Sequence, residues 1–192
     1  MSILNASVIL MEKSIKIQKQ ELRQKVWKLK AGCSSQEKLE KSRQIFAELE
    51  KLSDFVNAKT VMCYWSMPDE VETTEFILKY MNEKKFVLPV VKKDELELRY
   101  FEGVESLRPG RAFNIMEPTG QILSDSSELE LIIVPGVAFD KNMNRLGHGK
   151  AYYDKLLSRV KAIKIGVCFD FQFFDIIPVD GHDVKMDQVI YA

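Results

Sequence analysis

The residues that build metal centres and disulfide frameworks are scarce in this sequence. It holds three cysteines, Cys33, Cys63 and Cys168, which are widely spaced and form no Cys-x-x-Cys pair. An odd number of separated cysteines is typical of buried thiols in a reducing compartment and argues against a zinc site or a disulfide scaffold. Only two histidines are present, His148 and His182, so a His-rich metal site is excluded.

Long apolar runs and a net charge are also missing. No apolar run reaches the roughly 18 residues that a membrane span needs, and residues 1–10 lack the basic region and cleavage site of a signal peptide. Lys plus Arg and Asp plus Glu both number 28, so the overall charge favours neither nucleic acid nor an acidic membrane as a partner. We therefore expect a cytoplasmic protein, a monomer, that binds small molecules at a local site.

Strand-like and helical segments alternate along the chain. Its 192 residues suit a single domain with a full core. Helical periodicity is found at 14–30, at 34–52 after a Ser-x-x-Glu capping box, and after Thr73 or Thr74. Apolar strand patterns occupy 60–65, 86–91, 96–101, 131–136, 163–169 and 185–191, whereas 106–128 is predicted to be irregular. The alternation predicts an α/β domain with a mostly parallel sheet.

A glycine-rich segment, residues 145–151 and here called the glycine loop, separates a strand from a predicted helix at 150–159. Gly147 and Gly149 flank His148, beside Arg145 and Lys150. Backbone N–H groups before a helix start suit an anion, although a tight turn that binds nothing explains the same spacing. Neither the Walker pattern nor Gly-x-Gly-x-x-Gly is present, so the residues alone name no particular anion.

Charged residues elsewhere offer partners for an anion. Lys19 and Arg23 are four positions apart, so they point the same way from a helix, either toward an anion or into solvent. Asp154 follows the glycine loop, and Asp183 or Asp187 in the tail could supply a second carboxylate. Such carboxylates suit Mg²⁺ on a nucleotide, although dipole complementarity or solvation accounts for each of them alone.

Three aromatic side chains and one glutamate could line a cleft. Trp65 and Glu70 follow a strand, and Tyr152 and Tyr153 stand at a loop–helix junction. Ligands of parallel sheets bind at the carboxyl ends of the strands, where these residues are expected. Core packing of the aromatics and simple solvation of Glu70 are the alternatives.

An ordered set of motifs resembles the 5-formyltetrahydrofolate cyclo-ligase family, also called methenyltetrahydrofolate synthetase. The motifs are Lys19-Gln-Glu-Leu-Arg23, Asp69-Glu-Val-Glu-Thr73, Val134-Pro-Gly-Val-Ala-Phe-Asp140, Arg145-Leu-Gly-x-Gly-x-x-Tyr-Tyr-Asp154 and Ile177-Pro178 through His182-Asp183. The resemblance implies a three-layer, Rossmann-like α/β fold of the NagB/CoA-transferase-like type. It also implies one domain over 1–192, with 1–12 as a loosely ordered extension.

The resemblance further implies a reaction that requires ATP and Mg²⁺. 5-Formyltetrahydrofolate closes to 5,10-methenyltetrahydrofolate, with release of ADP and phosphate. In the mechanism proposed for the family, the formyl oxygen attacks the γ-phosphate, N10 attacks the phosphorylated intermediate, and phosphate leaves. An amide oxygen is a poor leaving group until it is phosphorylated, so the protein mainly positions two ligands and neutralises charge.

Residue roles follow from the resemblance. The expected contacts to ATP are Lys19, Arg23, Arg145, Gly147, His148, Gly149, Lys150, Ala151, Tyr152 and Tyr153. The expected catalytic residues among them are Arg145, Lys150 and Tyr153. Trp65, Glu70 and Tyr152 are expected to bind folate, with Glu70 at the pterin, and Asp154 and Asp183 are the expected magnesium ligands.

This chain departs from the family pattern at two glycine positions. Ala151 replaces a glycine before the tyrosine pair, which predicts a negative φ there. A glycine before Arg145 is also replaced, so Asn142 or Asn144 is expected to adopt the left-handed angles of the turn. Two other functions stay open: a non-catalytic folate- or nucleotide-binding regulatory module, and, by analogy of fold alone, a sugar-phosphate isomerase or CoA-transferase-like enzyme.

Overall fold

A computed structural model describes residues 3–110 and 115–192. The helices are α1 (Ile3–Ala31), α2 (Ser35–Leu49), α3 (Ser53–Asn57), α4 (Thr74–Tyr80) and α5 (Tyr152–Leu157). The strands are β1 (Thr60–Met62), β2 (Lys85–Lys92), β3 (Glu95–Tyr100), β4 (Leu107–Pro109), β5 (Met116–Pro118), β6 (Leu131–Pro135), β7 (Ala138–Asp140), β8 (Arg145–Leu146), β9 (Ile163–Cys168), β10 (Phe173–Phe174) and β11 (Gln188–Tyr191). No helix in these two ranges is both long and apolar enough to cross a membrane.

A six-stranded central sheet has the order β11-β9-β6-β1-β2-β3. All neighbouring strands pair in parallel except β2 and β3, which are antiparallel. The predicted α/β fold with a mostly parallel sheet is therefore confirmed, and the strand predicted at 96–101 corresponds to the antiparallel edge strand β3.

Both faces of the sheet are buried, which gives the fold three layers. Side chains of successive residues in β1 point to opposite faces, so Val61 packs with α2, α3 and α4, whereas Met62 packs on the side of α5. On the first side the rings of Phe46 and Phe76 stack with centroids 4.3 Å apart. Near-continuous apolar strands such as β6 are explained by this double cover.

A small second sheet, β10-β7-β8, lies beside the carboxyl ends of the central strands. It is fixed there by the buried ring of Phe139, which lies between two glycines. A Cβ atom at Gly136 would approach this ring to 2.6 Å, and one at Gly166 to 2.5 Å. Only glycine permits this approach at either position, so the two glycines determine where the β7–β8 hairpin sits.

Helix α1 is longer than the periodicity at 14–30 predicts. It begins at Ile3, so residues 3–12, expected to form a loosely ordered extension, have helical backbone. Its buried Val26 packs with Val137, Ala138 and Leu146 of the second sheet. The helix therefore lies along the glycine loop. The single domain over 1–192 stays a prediction, and residues 1–2 and 111–114 lie outside the described part of the chain.

The short elements were the hardest to predict. The capping box of α2 is confirmed, because Ser34 Oγ accepts from Glu37 N (3.2 Å) and Glu37 Oε2 accepts from Ser34 N (2.8 Å). Helix α3, the hairpin β7–β8 and the β4–β5 hairpin inside the segment predicted to be irregular were all missed. Strands of two or three residues are too short for an alternating pattern to indicate them.

The turn between β7 and β8 differs from its prediction. Met143 adopts the left-handed conformation, with φ 63°, instead of Asn142 or Asn144. The buried Asp140 carboxylate explains the difference, since Oδ1 accepts from the backbone N–H groups of Asn142 (2.9 Å) and Asn144 (3.0 Å). These bonds hold both asparagines, so the intervening residue takes the left-handed angles.

Candidate functional site

Two cavities meet at the glycine loop. The first, here called the aromatic cavity, has a volume of about 350 Å³ and is lined by side chains that include Tyr64, Trp65, Leu88, Met116, Tyr152 and Tyr153. The second, here called the charged cavity, has a volume of about 830 Å³ and is lined by residues that include Lys19, Arg23, Gly149, Asp180 and Asp183. Gly147, Ala151 and Asp154 line both cavities, so the loop is the partition between them.

Arg145 joins the start of the glycine loop to the start of α5. Its side chain is 3% exposed, and Nη2 donates to Asp154 Oδ1 at 2.8 Å. The guanidinium carbon lies 5.5 Å from the centroid of the Tyr153 ring. Arg145 Nε is the one fully buried side-chain N or O atom in the described chain that has no hydrogen-bond partner. The arginine therefore orders the loop and keeps an unpaired donor beside the aromatic cavity.

Arg23 of α1 lies over the other side of the glycine loop. Its Nε donates to Gly147 O at 2.9 Å, and burial lowers the pKa of its guanidinium. Gly149 has a φ of 97°, and a Cβ atom there would lie 3.4 Å from Arg23 Nη2. A side chain at position 149 would therefore be strained in its backbone and would crowd the arginine.

Lys19, one helical turn before Arg23, is bound by the tail of the chain. The residue is 7% exposed, and its Nζ lies 2.6 Å from Asp180 Oδ2 and 2.5 Å from Asp183 Oδ2. The structure thus brings together the two cations, the glycine loop and the predicted tail carboxylate, although these are far apart in the sequence.

The predicted magnesium ligands, Asp154 and Asp183, line the same charged cavity. No three His, Cys, Asp or Glu side chains in the described ranges come close enough to hold a metal ion alone. Two carboxylates, with phosphate oxygens and water completing the octahedron, nevertheless fit the way Mg²⁺ binds together with a nucleotide. Asp187, the alternative, instead accepts from Lys164 N at 2.7 Å beside β9.

Glu70 brings a nearly buried carboxylate to the aromatic cavity. Its side chain is 12% exposed, Oε2 accepts from Met67 N at 3.0 Å, and Oε1 lies 3.9 Å from His148 Nε2. Burial raises the pKa of Glu70, while the Met67 N–H and the charge of Lys30 oppose that rise. Among the described residues, Oε1 therefore has no hydrogen-bond partner, and Glu70 lines the aromatic cavity.

The aromatic side chains close the same cavity from several elements. Trp65 packs against Phe101, with centroids 5.6 Å apart, and Tyr152 OH donates to Lys93 O at 3.2 Å, which links the loop to the β2–β3 turn. Burial raises the pKa of Tyr153 far above its usual value, so its phenol stays protonated. The result is a mostly apolar cavity with a few polar groups.

The rest of the glycine loop shows one clear departure from expectation. Ala151, the N-cap residue of α5, has a φ of 54°, so the predicted negative φ is wrong. The turn that aims Gly147 and Gly149 demands a left-handed residue there, whichever side chain occupies it. His148 and Lys150 are exposed and line the aromatic cavity. Partial loss of hydration, together with the charges of Lys30, Arg145 and Arg23, lowers the pKa of His148.

Two further residues shape the site; sequence reasoning missed Lys30 and assigned no role to Gln172. Lys30, a buried cation in the last turn of α1, acts on Glu70 through its charge, and burial lowers its own pKa. Gln172 donates from Nε2 to Gly136 O (3.0 Å) and Val137 O (2.9 Å), which ties the end of β9 to the hairpin. A lysine near a helix C-terminus has an ordinary explanation in the helix dipole, so Lys30 gave no signal.

Comparisons with known proteins agree with this geometry. The model of the 5-formyltetrahydrofolate cyclo-ligase family matches residues 15–192. A Mus musculus protein named 5-formyltetrahydrofolate cyclo-ligase is 31% identical over 177 residues, which cover 83% of this chain and 86% of that one. The NMR structure of Aquifex aeolicus 5,10-methenyltetrahydrofolate synthetase is similar, with a TM-score of 0.82 and 37% identity over 91% of this chain and 89% of that chain. A structure of a Mycoplasma pneumoniae 5,10-methenyltetrahydrofolate synthetase has a TM-score of 0.73 and 26% identity over 90% of this chain and 98% of that chain.

Proposed function

Because this chain belongs to the 5-formyltetrahydrofolate cyclo-ligase family, we propose that it catalyses the ATP- and Mg²⁺-dependent closure of 5-formyltetrahydrofolate to 5,10-methenyltetrahydrofolate, with release of ADP and phosphate. Family membership and the names of the relatives support cyclo-ligase activity. The use of ATP and Mg²⁺, the reaction sequence and the residue roles given below belong to the proposal.

The observation that carries the proposal is the shared partition between the two cavities. A reaction that transfers a phosphoryl group from a nucleotide to a flat heterocycle needs two adjoining sites of different character. The aromatic cavity suits a ring, the charged cavity suits phosphates, and residues 147, 151 and 154 line both. Phosphate oxygens at the loop would therefore lie next to the substrate atom that receives the phosphoryl group.

The folate side is assigned to Trp65, Glu70 and Tyr152. The two aromatic rings bound a slot into which a planar pterin fits. The open oxygen of Glu70 is suited to accept hydrogen bonds from ring N–H and amino groups, which are strong when the acceptor is ionised. Lys30 favours that ionised form by its charge.

The nucleotide side is assigned to Lys19, Arg23 and the glycine loop. The cations and the loop N–H groups would bind phosphate oxygens, as charged donors and backbone groups before a helix do elsewhere. Asp154 and Asp183 would hold Mg²⁺, which supplies charge neutralisation on the phosphates when it is bound. The assignment of ATP contacts to His148, Lys150, Tyr152 and Tyr153 stays a prediction.

In the proposed reaction the formyl oxygen attacks the γ-phosphorus, and the bond between that phosphorus and the ADP oxygen breaks. N10 then attacks the activated formyl carbon and loses its proton, and phosphate leaves with the former formyl oxygen and takes up that proton. Arg145 and Lys150 would stabilise the transferring phosphoryl group, and the protonated Tyr153 would donate a hydrogen bond. Preorganised donors of this kind commonly contribute about 10²-fold to a rate.

Purified protein supplied with 5-formyltetrahydrofolate, ATP and Mg²⁺ tests the proposal. We expect equal amounts of methenyl product, measured by its ultraviolet absorbance, and of ADP, with both absent when any one component is omitted. Folate and nucleotide binding by calorimetry without ADP formation would instead favour a non-catalytic regulatory module.

A further inference from the structure

We propose that Asp180 makes the charged cavity selective for metal-bound over metal-free nucleotide. Its carboxylate disfavours a metal-free triphosphate, and it keeps the Lys19 ammonium oriented when Asp183 binds the metal. This inference rests on the proposed function, which places a triphosphate in that cavity. Asp180 lies outside the residues that the family resemblance assigns to any role.

The ion pairs around Lys19 are close and well ordered. Lys19 Nζ contacts one oxygen of each carboxylate, at 2.6 Å for Asp180 and 2.5 Å for Asp183. The two aspartates also hold each other, since Asp180 N donates to Asp183 Oδ2 at 2.8 Å. Asp180 Oδ1 accepts in turn from His182 N at 3.0 Å. The carboxylates are therefore in place before any ligand arrives.

The formal charges of the cavity lining are balanced. Its described cationic side chains are Lys16, Lys19 and Arg23, and its carboxylates are Asp154, Asp180 and Asp183. A metal-free triphosphate would gain no net attraction from these formal charges and would compete with two carboxylates for Lys19. Like charges a few ångströms apart in a partly buried site repel strongly, so this competition is unfavourable.

A magnesium ion changes that competition. It adds two positive charges, and the proposed ligand Asp183 is one of the two partners of Lys19. When Asp183 binds the metal, one partner of the ammonium is removed, and Asp180 keeps Lys19 oriented while phosphate approaches. Asp180 thus penalises the bare anion and leaves the metal complex nearly unaffected.

Substitutions of Asp180 test this role separately from metal binding. Removal of the Asp183 carboxylate would change both the proposed metal site and the ion pair, whereas replacement of the Asp180 side chain removes one partner of Lys19 and keeps the backbone bond from Asp180 N to Asp183. Its side chain is 40% exposed, so a neutral replacement leaves no buried cavity. Asp175, in the same tail, pairs with Lys141 at 2.5 Å and does not line the cavity, so it offers a control with the same change in charge.

Calorimetric titration of wild type, Asp180→Asn, Asp180→Ser, Asp180→Glu and Asp175→Asn tests the inference. The ligands are ATP and inorganic tripolyphosphate in EDTA, followed by ATP with Mg²⁺. We expect both neutral variants to bind the metal-free ligands about tenfold more tightly, as for one unit charge removed near a phosphate. In the same two variants the affinity for ATP with Mg²⁺ should change by less than about threefold. Asp180→Glu and Asp175→Asn should bind every ligand with the affinity of wild type.

Three results would contradict the inference. The first is equal metal-free binding by wild type and both neutral variants, with thermal unfolding showing that at least one of them is folded. The second is an equal gain in Asp175→Asn, which indicates an effect of net charge alone. The third is wild type that binds neither Mg²⁺–ATP nor tripolyphosphate, which would refute the proposed nucleotide site itself and is thus distinguished from a failure of Asp180.

Discussion

The aromatic cavity and the charged cavity share the glycine loop, yet different forces form them. The aromatic cavity continues the hydrophobic core beyond the ends of β1 and β2, so packing defines its shape. The charged cavity is held by ion pairs between α1 and the tail, which lie at opposite ends of the chain. Apolar packing is insensitive to salt, whereas ion pairs that reach solvent are screened by it. One cavity is therefore preformed, and the other is set by charges that a ligand must rearrange.

The largest effect is expected from replacement of Lys19, and it should be confined to the kinetics with ATP. Lys19→Met should lower kcat/KM for ATP about 10²-fold, because a buried charged donor to phosphate is lost. The KM for 5-formyltetrahydrofolate should stay within about twofold, since packing forms the other cavity. Steady-state kinetics measure both constants.

Lys28→Met on the exposed side of α1 is the matched control and should behave as wild type. Thermal unfolding identifies any loss of folded protein, since Asp180 and Asp183 lose their partner. An unchanged kcat/KM for ATP in folded Lys19→Met would refute the assigned role.

Trp65→Leu should affect the aromatic cavity alone. Loss of one face of the slot should raise the KM for 5-formyltetrahydrofolate about tenfold, in line with the stacking energy of one aromatic side chain. The KM for ATP should be unchanged. Trp27→Leu, at an α1 position that is 69% exposed, controls for the loss of a tryptophan. Equal changes in both KM values would show that the cavities are not independent.

The pH dependence of folate binding should depend on Glu70. Its pKa is raised by burial, so the carboxylate form that we propose accepts from the pterin is lost as pH falls through that raised pKa. Folate affinity should therefore fall toward acid in wild type and be lower but flat in Glu70→Gln. Fluorescence titration from about pH 4 to about pH 8 would measure this, since it spans the ordinary glutamate pKa and the range above it.

The stability of the ligand-free protein should show the opposite pH dependence from folate affinity, because the contribution of Glu70 to folding decreases as pH rises. A carboxyl whose pKa is raised in the folded state favours folding in its protonated form, and that contribution is lost as pH rises through the folded pKa. Glu70→Gln should consequently stabilise the ligand-free protein at neutral pH. A less stable variant at pH 7 would mean that Lys30 and the Met67 N–H compensate fully for burial.

The smallest expected effect is the change in protein stability when Ala151 of the partition is replaced. Ala151→Gly should stabilise the protein by about 0.5 kcal/mol, because glycine adopts the observed left-handed angles without the steric cost of a Cβ atom. Chemical denaturation measures this difference. Ala47→Gly, in α2 where the backbone is right-handed, should destabilise by about 0.5 to 1 kcal/mol. Equal losses in both variants would contradict the strain argument.

The sequence predicted the features that depend on local pattern. Ser34 and Glu37 predicted the start of α2, and the alternation of apolar strands such as β6 with helical segments predicted the parallel sheet. Features that depend on distant partners were missed. The left-handed angle of Met143 is fixed by Asp140, whose carboxylate also accepts from Ile177 N, far along the chain.

The residues of the candidate site also fall into two groups, those that local sequence patterns predicted and those that they missed. Motif residues such as Arg145 and Asp154 were identified because they are close in sequence and resemble a known family. The pairing of Lys19 with Asp180 joins residues 161 positions apart, and neither local periodicity nor motif spacing indicates such a contact. Lys30 beside Glu70 was missed for the same reason.

The partition of Gly147, Ala151 and Asp154 has a thermodynamic consequence. Since the same residues line both cavities, a ligand that shifts the loop in one cavity alters the affinity of the other cavity for its own ligand. Linkage requires the influence to be mutual, so whatever factor a nucleotide imposes on folate binding, folate imposes on nucleotide binding. Substitutions that leave the loop in place therefore test each cavity by itself, whereas any shift of the loop would couple the two proposed substrates.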